Sequence, residues 1–225
     1  MRRVAGLVTG FLLPMLAFSE PLAKKEKKAE PMETHVVTIK GKPVAFTMQQ
    51  VISAEKIQER VKELGKTLSE KFTGKQPVVI GVLSGSSIFH SDLVRAMNIP
   101  VEVDFVRVSS YHGTESSGKV KSALGVKSDL KGRHIIMVED IVDTGRTMDF
   151  LITHFKTYQP ASITIVSLLT KPTKLLPEYK NTVFVDYIGF KIPPDFVVGF
   201  GLDLDGYFRN LPDIKIVKTI DGKSV

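Results

Sequence analysis

The stretch IIMVEDIVDTGRTM, residues 135–148, combines three acidic residues with a turn suited to binding an anion. Gly145 allows a backbone conformation in which successive N–H groups converge on an anion, and Thr144 and Thr147 add hydroxyl donors. The helix predicted after this turn adds a partial positive charge at its N-terminus. A phosphate monoester is the natural ligand of such a turn. The alternative is that the turn only caps the helix.

The acidic residues in this stretch require a second kind of ligand group. Glu139 and Asp140 follow an apolar strand pattern, where a buried carboxylate without a partner is costly. Carboxylates in this position can accept hydrogen bonds from sugar hydroxyls or help to hold Mg²⁺ through water. A ligand with both a ribose diol and a phosphate would satisfy the whole stretch. The sequence contains neither GxxxxGK[ST] nor GxGxxG, so the turn belongs to neither of these nucleotide-binding motifs.

The sequence around this stretch alternates between strand and helix patterns. Ser53 is a predicted N-cap, and the apolar spacing after it predicts an amphipathic helix that ends near Gly74. The other predicted elements are helices at 88–97 and about 147–158, and strands at 46–51, 77–83, 101–108, 135–138, 162–169, 183–188 and 196–199. Strands that alternate with helices predict a three-layer α/β fold with a mainly parallel sheet flanked by helices.

Polar residues follow several of the predicted strands. Ligands bind mainly parallel sheets beyond the carboxyl ends of the strands. The residues expected at that edge are Ser84, Glu139, Asp143 and Lys171. The segment Ser109–Lys131 is polar, rich in Gly and Ser, and almost without periodicity, which is more typical of a functional lid than of a plain connection.

Composition and charge limit the classes of function. The chain has 225 residues, of which 43% are hydrophobic and 24% charged, as expected for one sizeable globular domain. Residues 1–31 hold six Lys or Arg and three Glu, and thus a large part of the net charge of +7. The charge of the remainder suits a small phosphorylated ligand at least as well as nucleic acid. The absence of cysteine excludes disulfides, thiolate metal sites and cysteine nucleophiles.

The N-terminal segment differs in composition from the rest of the chain. Two arginines followed by the apolar run Val4–Phe18 resemble a signal peptide, but the run is shorter than the roughly 20 residues of a membrane-spanning helix. The charged segment Lys24–His35 is predicted to be a solvated linker. The alternative is that the functional chain begins at Met32 or Met48. We therefore predict a leader and linker in residues 1–45, without a stable membrane span, and one domain in residues 46–225.

The segment Val138–Thr147 resembles the 5-phosphoribosyl-1-pyrophosphate (PRPP) signature of the phosphoribosyltransferases, and its Glu-Asp form is most similar to the hypoxanthine-guanine phosphoribosyltransferases. Four further segments resemble that family in the same order: the pyrophosphate loop (81–89), the mobile loop (109–121), the purine-lysine segment (167–174) and the C-terminal hood (194–214). The resemblance covers roughly residues 49–217. It implies the type I phosphoribosyltransferase fold, with a small hood beside the main sheet.

The resemblance implies a role for each residue of the signature. Glu139 and Asp140 would bind the ribose hydroxyls. The 5′-phosphate would be held by Asp143, Thr144, Gly145, Arg146 and Thr147. Asp143 also matches the general base of the family and would face N7 of the purine. Because a carboxylate is a weak base, we expect part of its effect to be electrostatic.

The purine site implied by the resemblance contains three residues. Lys171 matches the lysine that donates to O6 of the purine, and it would disfavour the 6-amino group of adenine because two donors would then face each other. Phe196 matches the aromatic residue that stacks on the base. Val197 matches the residue whose main chain contacts the edge of the base.

The resemblance also implies sites for pyrophosphate, metal and lid. The pyrophosphate would bind Ser84, Gly85 and Arg209, and Mg²⁺ would lie near Glu139, Asp140 and Asp203. Ser110 and Tyr111 belong to the loop expected to close over the site and to exclude water. Leu83-Ser84-Gly85 departs from the common Leu-Lys-Gly of the family, so one expected cation is missing.

These observations predict a Mg²⁺-dependent enzyme of purine salvage that converts PRPP and hypoxanthine, and also guanine, into IMP or GMP and pyrophosphate. The alternatives are a xanthine-preferring transferase and a PRPP-binding regulator that controls nucleic acid. Residues 1–45 are too short and irregular for a helix-turn-helix, so no nucleic-acid partner is expected. We expect a homo-oligomer, a dimer or tetramer as is common in the family. PRPP and Mg²⁺ are cytoplasmic supplies, so a cytoplasmic location is expected despite the signal-like N-terminus.

Overall fold

The computed structural model of the chain describes residues 31–110, 120–179 and 185–225. Its helices are α1 (Ala54–Phe72), α2 (Ser87–Ala96) and α3 (Arg146–Lys156), with a 3-10 turn at Pro177–Tyr179. Its strands are β1 (Met32–Ile39), β2 (Lys42–Ile52), β3 (Val78–Leu83), β4 (Glu102–Ser110), β5 (Val120–Leu124), β6 (His134–Val142), β7 (Ser162–Thr170), β8 (Tyr187–Lys191), β9 (Val197–Val198), β10 (Ile214–Ile220) and β11 (Lys223–Ser224).

The main sheet has six strands in the order β5-β4-β3-β6-β7-β8. Five of them run parallel, and β5 pairs antiparallel with β4 at one edge. The apolar stretches of β3 and β6 are buried, as expected for parallel strands that have helices on both faces. The predicted three-layer α/β fold with a mainly parallel sheet is therefore confirmed.

Alternate residues of the central strands pack into opposite layers. Val79 and Ile136 contact the apolar faces of α1 and α2, whereas Ile80 and Met137 pack with α3. The N-cap prediction for α1 is confirmed, because the Ser53 side chain accepts a hydrogen bond from the Lys56 backbone N–H at 3.4 Å. Each fully buried aliphatic side chain in these layers contributes roughly 1.5–3 kcal/mol to the stability of the fold.

A second, antiparallel sheet forms the hood that the resemblance implies. Its strands follow the order β1-β2-β10-β11, and β9 pairs with β10. The sheet has a small core of its own, which contains Phe46, Met48, Val198, Phe208 and Val217. Val197 and Ile216 pack instead into the layer of α1 and α2, so the hood is joined to the main domain through apolar contacts.

The predicted domain boundary at residue 46 requires correction. Strand β1 pairs with β2 along its whole length, so residues 32–45 belong to the hood and not to the linker. Pairing satisfies the backbone of this charged segment, and Lys215 on β10 forms an ion pair with Glu33 on β1. Residues 1–30, which contain the rest of the predicted leader and linker, lie outside the described residues.

Several predicted elements differ from the structure in extent, among them β2, which begins at Lys42 and not at Phe46. Strand β6 continues to Val142 because it pairs with β7 as far as Thr170, so Glu139 and Asp140 lie within the strand and not beyond it. The segment Ser109–Lys131 contains β5, which pairs with β4. The strand predicted at 183–188 begins instead at Tyr187 and pairs with β7.

Candidate active site

The predicted phosphate turn lies between the end of β6 and the start of α3. Gly145 is the N-cap of α3 and has a left-handed backbone, with φ of +91°, which favours glycine. Gly145 has no side chain with which to cap the helix, and Thr144 and Thr147 form no capping hydrogen bond among the described residues. A cleft of about 80 Å³ at the turn, called the phosphate cleft after its proposed ligand, is lined by Glu139, Ile141, Val142, Asp143, Thr144, Gly145, Thr147 and Met148.

The segment after β7, residues 171–179, packs against this turn. A Cβ atom on Gly145 would lie 2.7 Å from Leu175 Cδ1 and 3.1 Å from Tyr179 Cβ, so the glycine is also required for close packing. The Leu176 N–H donates to the Thr144 carbonyl at 3.2 Å. These supporting residues were not predicted from the sequence. Their signal was the apolar Leu175-Leu176 pair inside a polar segment.

Glu139 is buried in the floor of the phosphate cleft. Its residue exposure is 7%, and its Oε2 atom has no hydrogen-bond partner among the described residues. Burial, together with the neighbouring Asp140 carboxylate, raises the pKa of Glu139 well above its usual range. A ligand that donates a hydrogen bond would satisfy this oxygen.

Asp140 faces the predicted pyrophosphate loop. A Cβ atom on Gly85 would overlap the Asp140 carboxylate, so only glycine fits against this side chain. Burial raises the pKa of Asp140 to about 6, although the Ile141 N–H and the Arg209 guanidinium favour its ionised form and Asp203 opposes it. Adjacent strand residues point to opposite faces of the sheet, so the side chains of Glu139 and Asp140 lie on opposite faces near the end of β6.

Asp143 and Lys171 form an ion pair beside the phosphate cleft. Lys171 Nζ lies 3.6 Å from Asp143 Oδ2, and the Lys171 side chain is 8% exposed. The Lys171 N–H donates to the Val142 carbonyl at 3.1 Å, which fixes the start of the segment after β7 to the end of β6. Asp143 Oδ1 has no partner among the described residues. The pair thus offers a donor and an acceptor side by side.

The hood contributes a second ion pair, between Asp203 and Arg209. Arg209 Nη2 lies 2.7 Å from Asp203 Oδ1, and Arg209 Nη1 donates to the Gly201 carbonyl at 2.6 Å. A Cβ atom on Gly201 would overlap the Gly85 carbonyl, so the hood backbone contacts the predicted pyrophosphate loop directly. The structure therefore brings Gly85, Asp140, Asp203 and Arg209 together.

Ser84 is contacted by a residue that the sequence analysis did not identify. The Leu83–Ser84 peptide bond is cis, and Arg107 Nη2 donates to Ser84 Oγ at 3.4 Å. Arg107 lies next to Leu83 in the parallel pairing of β3 and β4. Its only sequence signal was its place near the carboxyl end of a predicted strand.

The remaining predicted site residues are more peripheral. Arg146, the first residue of α3, is exposed and does not line the cleft. Phe196 is 40% exposed, whereas Val197 is buried and pairs with Ile216. Ser110 ends β4, and Tyr111 lies outside the described residues.

The described ranges contain neither a ready-made metal cluster nor a membrane-spanning helix. Across residues 31–110, 120–179 and 185–225, no group of three or more His, Cys, Asp or Glu side chains is arranged to hold a metal ion by itself. Within the same ranges, no helix is both long and apolar enough to cross a membrane.

Comparison with known proteins identifies relatives of the chain. The family profile of the phosphoribosyl transferase domain matches residues 47–205. The hypoxanthine-guanine phosphoribosyltransferase of Lactococcus lactis is 46% identical over 169 residues, which are 75% of this chain and 90% of the relative. The enzyme of the same name from Streptococcus pneumoniae is 43% identical over 169 residues, covering 75% of this chain and 92% of the relative.

Solved structures agree with this relationship. A hypoxanthine phosphoribosyltransferase from Staphylococcus aureus has a TM-score of 0.68 and 38% sequence identity, over 76% of this chain and 91% of that chain. A hypoxanthine-guanine phosphoribosyltransferase from Bacillus anthracis has a TM-score of 0.67 and 40% identity, over 75% of this chain and 98% of that chain. The chain therefore belongs to the phosphoribosyltransferase family, on the branch of the hypoxanthine-guanine phosphoribosyltransferases.

Proposed function

We propose that this protein transfers the 5-phosphoribosyl group of PRPP to N9 of hypoxanthine and guanine, giving IMP or GMP and pyrophosphate. The observation that carries the choice of base is the ion pair of the buried Lys171 with the partly exposed Asp143 beside the phosphate cleft. An ammonium donor suits the O6 atom of a 6-oxopurine, and the carboxylate suits its N7–H. The 6-amino group of adenine would leave the ammonium without an acceptor.

The other parts of the nucleotide match the remaining polar groups. The turn Asp143–Thr147 would bind the 5′-phosphate through backbone N–H groups, two hydroxyls and the N-terminus of α3. The ribose hydroxyls would donate to Glu139 and Asp140. The support for this role is that Glu139 Oε2 is buried without a hydrogen-bond partner in the described part of the protein.

The transfer reaction requires a proton acceptor near the base. The purine N9 lone pair forms a bond to C1′ of the ribose while the bond from C1′ to the pyrophosphate oxygen breaks. The purine then loses its N7 proton, and we propose Asp143, which pairs with Lys171, as its acceptor. Lys171 would orient the base relative to Asp143, because it would contact both.

The oxygen-rich edge of the site fits Mg²⁺, which the resemblance implies. Asp203 is close enough to Asp140 for its charge to help raise the pKa of Asp140, and a divalent cation would offset that repulsion. Mg²⁺ usually takes one or two carboxylates and completes its coordination with water and substrate phosphates, so a larger protein cluster is not required. We propose that Asp140, Asp203 and, through the ribose, Glu139 hold it. When bound, the ion would neutralise the leaving pyrophosphate.

Turnover of the full-length protein with PRPP, Mg²⁺ and hypoxanthine tests the proposal. We expect IMP and pyrophosphate in equal amounts, a comparable reaction with guanine, and little reaction with adenine. Xanthine, as the third 6-oxopurine, measures the selectivity of the pocket. Absence of IMP from intact protein would overturn the proposal.

A matched pair of variants localises the chemistry. Asp143→Ala should lose most turnover, whereas Asp149→Ala, in the first turn of α3 and outside the residues that line the cleft, should retain it. Undiminished turnover in Asp143→Ala would contradict the role of this carboxylate.

The lid, the assembly and the location are also part of the proposal. Ser110 and Tyr111 would close over the bound substrates, so Tyr111→Ala should raise the KM for PRPP. Light scattering should give a dimer or a tetramer. A cytoplasmic location is proposed because PRPP and Mg²⁺ are supplied there, and N-terminal sequencing of the natively expressed protein would show whether residues 1–30 are retained.

A further inference from the structure

We propose that Arg107 binds the pyrophosphate group and supplies the cation that the loop Leu83–Ser87 lacks. This inference rests on the proposed function, because the group in question is the pyrophosphate of PRPP. The loop reads Leu-Ser-Gly-Ser-Ser and has no basic side chain of its own. A pyrophosphate over its backbone therefore requires a cation from another element.

The position of Arg107 follows from the sheet. Strands β3 and β4 run parallel, and their register places Arg107 beside Leu83, one residue before Ser84. Both strands thus bring their carboxyl ends to the edge at which ligands bind mainly parallel sheets. From this position Arg107 Nη2 already donates to Ser84 Oγ. The contact measures 3.4 Å, at the long end for a hydrogen bond, so a stronger acceptor could replace it readily.

Among the described residues, no carboxylate neutralises the charge of Arg107. Lys171 pairs with Asp143 at 3.6 Å, and Arg209 pairs with Asp203 at 2.7 Å. By contrast, no carboxylate of the described residues forms an ion pair with Arg107, which is also exposed. A guanidinium in this state has a planar set of donors available for two phosphate oxygens.

Arg107 and Arg209 reach the same loop from different elements. The Arg209 guanidinium donates a hydrogen bond to the Gly201 carbonyl. Gly201 in turn packs against the Gly85 carbonyl. Arg107 contacts the neighbouring residue, Ser84, from β4. The Asp140 carboxylate lies against Gly85, so the loop carries nearby negative charge that a bound polyanion must overcome. Two guanidinium groups, one on the hood and one on the main sheet, would provide that compensation.

Calorimetric titration of the full-length protein with inorganic pyrophosphate and Mg²⁺ tests the proposal without turnover. We expect Arg107→Ala to bind pyrophosphate about tenfold more weakly, as typical for loss of one charge-assisted contact. Its affinity for IMP should stay within about twofold of the parent, because Arg107 does not line the phosphate cleft. In turnover, the KM for PRPP should rise while the KM for hypoxanthine stays constant.

Two further variants control for charge. Arg95→Ala removes an equal charge from α2, where Arg95 pairs only with Asp92 among the described residues, and it should bind pyrophosphate normally. Arg107→Lys keeps a cation and should lose less affinity than Arg107→Ala. Equal loss in these two Arg107 variants would contradict the assignment of the effect to charge.

Two other results would overturn the proposal. One is unchanged pyrophosphate affinity in Arg107→Ala. The other is an equal loss of IMP and pyrophosphate affinity, which would indicate a general structural role. Failure of the proposed function would look different, because the unmodified protein would then form no IMP from PRPP and hypoxanthine.

Discussion

The main-sheet side of the site and the hood side hold their charged groups in different ways. On the main sheet, Glu139 Oε2 and Asp143 Oδ1 are buried without hydrogen-bond partners in the described structure, and burial raises the pKa of Asp140 to about 6. On the hood, Asp203 and Arg209 form a close ion pair whose side chains are 29% and 33% exposed. On the main sheet, one oxygen each of Glu139 and Asp143 thus lacks a partner among the described residues although Asp143 pairs with Lys171, whereas on the hood both charges are paired.

The difference shows which side is organised around the ligand. An unpartnered buried carboxylate destabilises the free protein, and a ligand that donates hydrogen bonds removes that penalty. An ion pair that is about one-third exposed, such as Asp203 with Arg209, contributes little to stability in either state. Substitutions on the main sheet should therefore have large effects on activity, and those on the hood should have smaller effects, chiefly on substrate affinity.

The largest effect is expected from Asp143→Asn. The amide retains the shape of the side chain but cannot accept the purine proton, so kcat should fall by roughly 10²- to 10⁴-fold. Quenched-flow or steady-state measurement of IMP formation would show this. A fall of less than tenfold would contradict the role of Asp143 as proton acceptor.

A smaller effect on rate, with a change of selectivity, is expected from Lys171→Gln. The amide can act as donor or acceptor, so the preference for hypoxanthine over adenine should narrow, and kcat/KM for hypoxanthine should fall by roughly 100-fold. Parallel assays with the two bases measure both quantities. Lys174→Gln is the matched control, because Lys174 is exposed three residues along the same segment. An unchanged ratio between the bases would argue against contact of Lys171 with O6.

On the hood, Arg209→Ala should raise the KM for PRPP by about tenfold and change kcat by only a few-fold. The loss is one charge-assisted contact to pyrophosphate, and Asp203 is left exposed to water. Steady-state kinetics with PRPP as the varied substrate would measure it. A loss of kcat as large as that of Asp143→Asn would remove the distinction between the two sides.

The smallest effect on activity is expected from Phe196→Leu. Phe196 is 40% exposed, so leucine should keep its apolar contact and lose only the stacking on the base. We expect a KM for hypoxanthine about three- to fivefold higher, with an unchanged KM for PRPP. Equal changes in both constants would indicate a displaced hood and not a lost base contact.

The elements of the main sheet could be predicted because their signals are local. Buried parallel strands such as β3 and β6 are continuous apolar runs, and α1 carries a regular apolar stripe after the cap at Ser53. The turn before α3 was also predictable, since all its residues are consecutive in the chain; its binding of phosphate is a proposal. In each case a short segment contains the whole physical reason for its structure.

The hood and the contacts between loops could not be predicted in the same way. Strand β1 alternates exposed and partly buried residues and carries charges, so it is stabilised by its pairing with β2 and not by an apolar run. The contacts of Gly85 with Asp140 and Gly201 join residues far apart in the chain. The role proposed for Arg107 also depends on strand register, which a surface arginine does not reveal.

The pH dependence of stability follows from the raised pKa of Asp140. An aspartate in the unfolded chain has a pKa of about 4, whereas burial raises the pKa of folded Asp140 to about 6. Between these values the folded protein keeps a proton that the unfolded chain has lost, so the free energy of unfolding should fall as the pH rises through this window. Thermal unfolding in metal-free buffer should show this fall. In Asp140→Asn the free energy of unfolding should fall less over the same pH window. An equal fall in both proteins would show that other groups cause it.

The central claim is that the main sheet keeps destabilising carboxylates because the ligand requires them. The most direct test measures unfolding temperature and IMP formation in the same metal-free preparations of the parent and Asp140→Asn at pH 8, with Mg²⁺ added only for turnover. We expect Asp140→Asn to be more stable by roughly 1–2 kcal/mol and to have lost most of its activity. A variant that unfolds at the same or a lower temperature, or that retains full turnover, would contradict it.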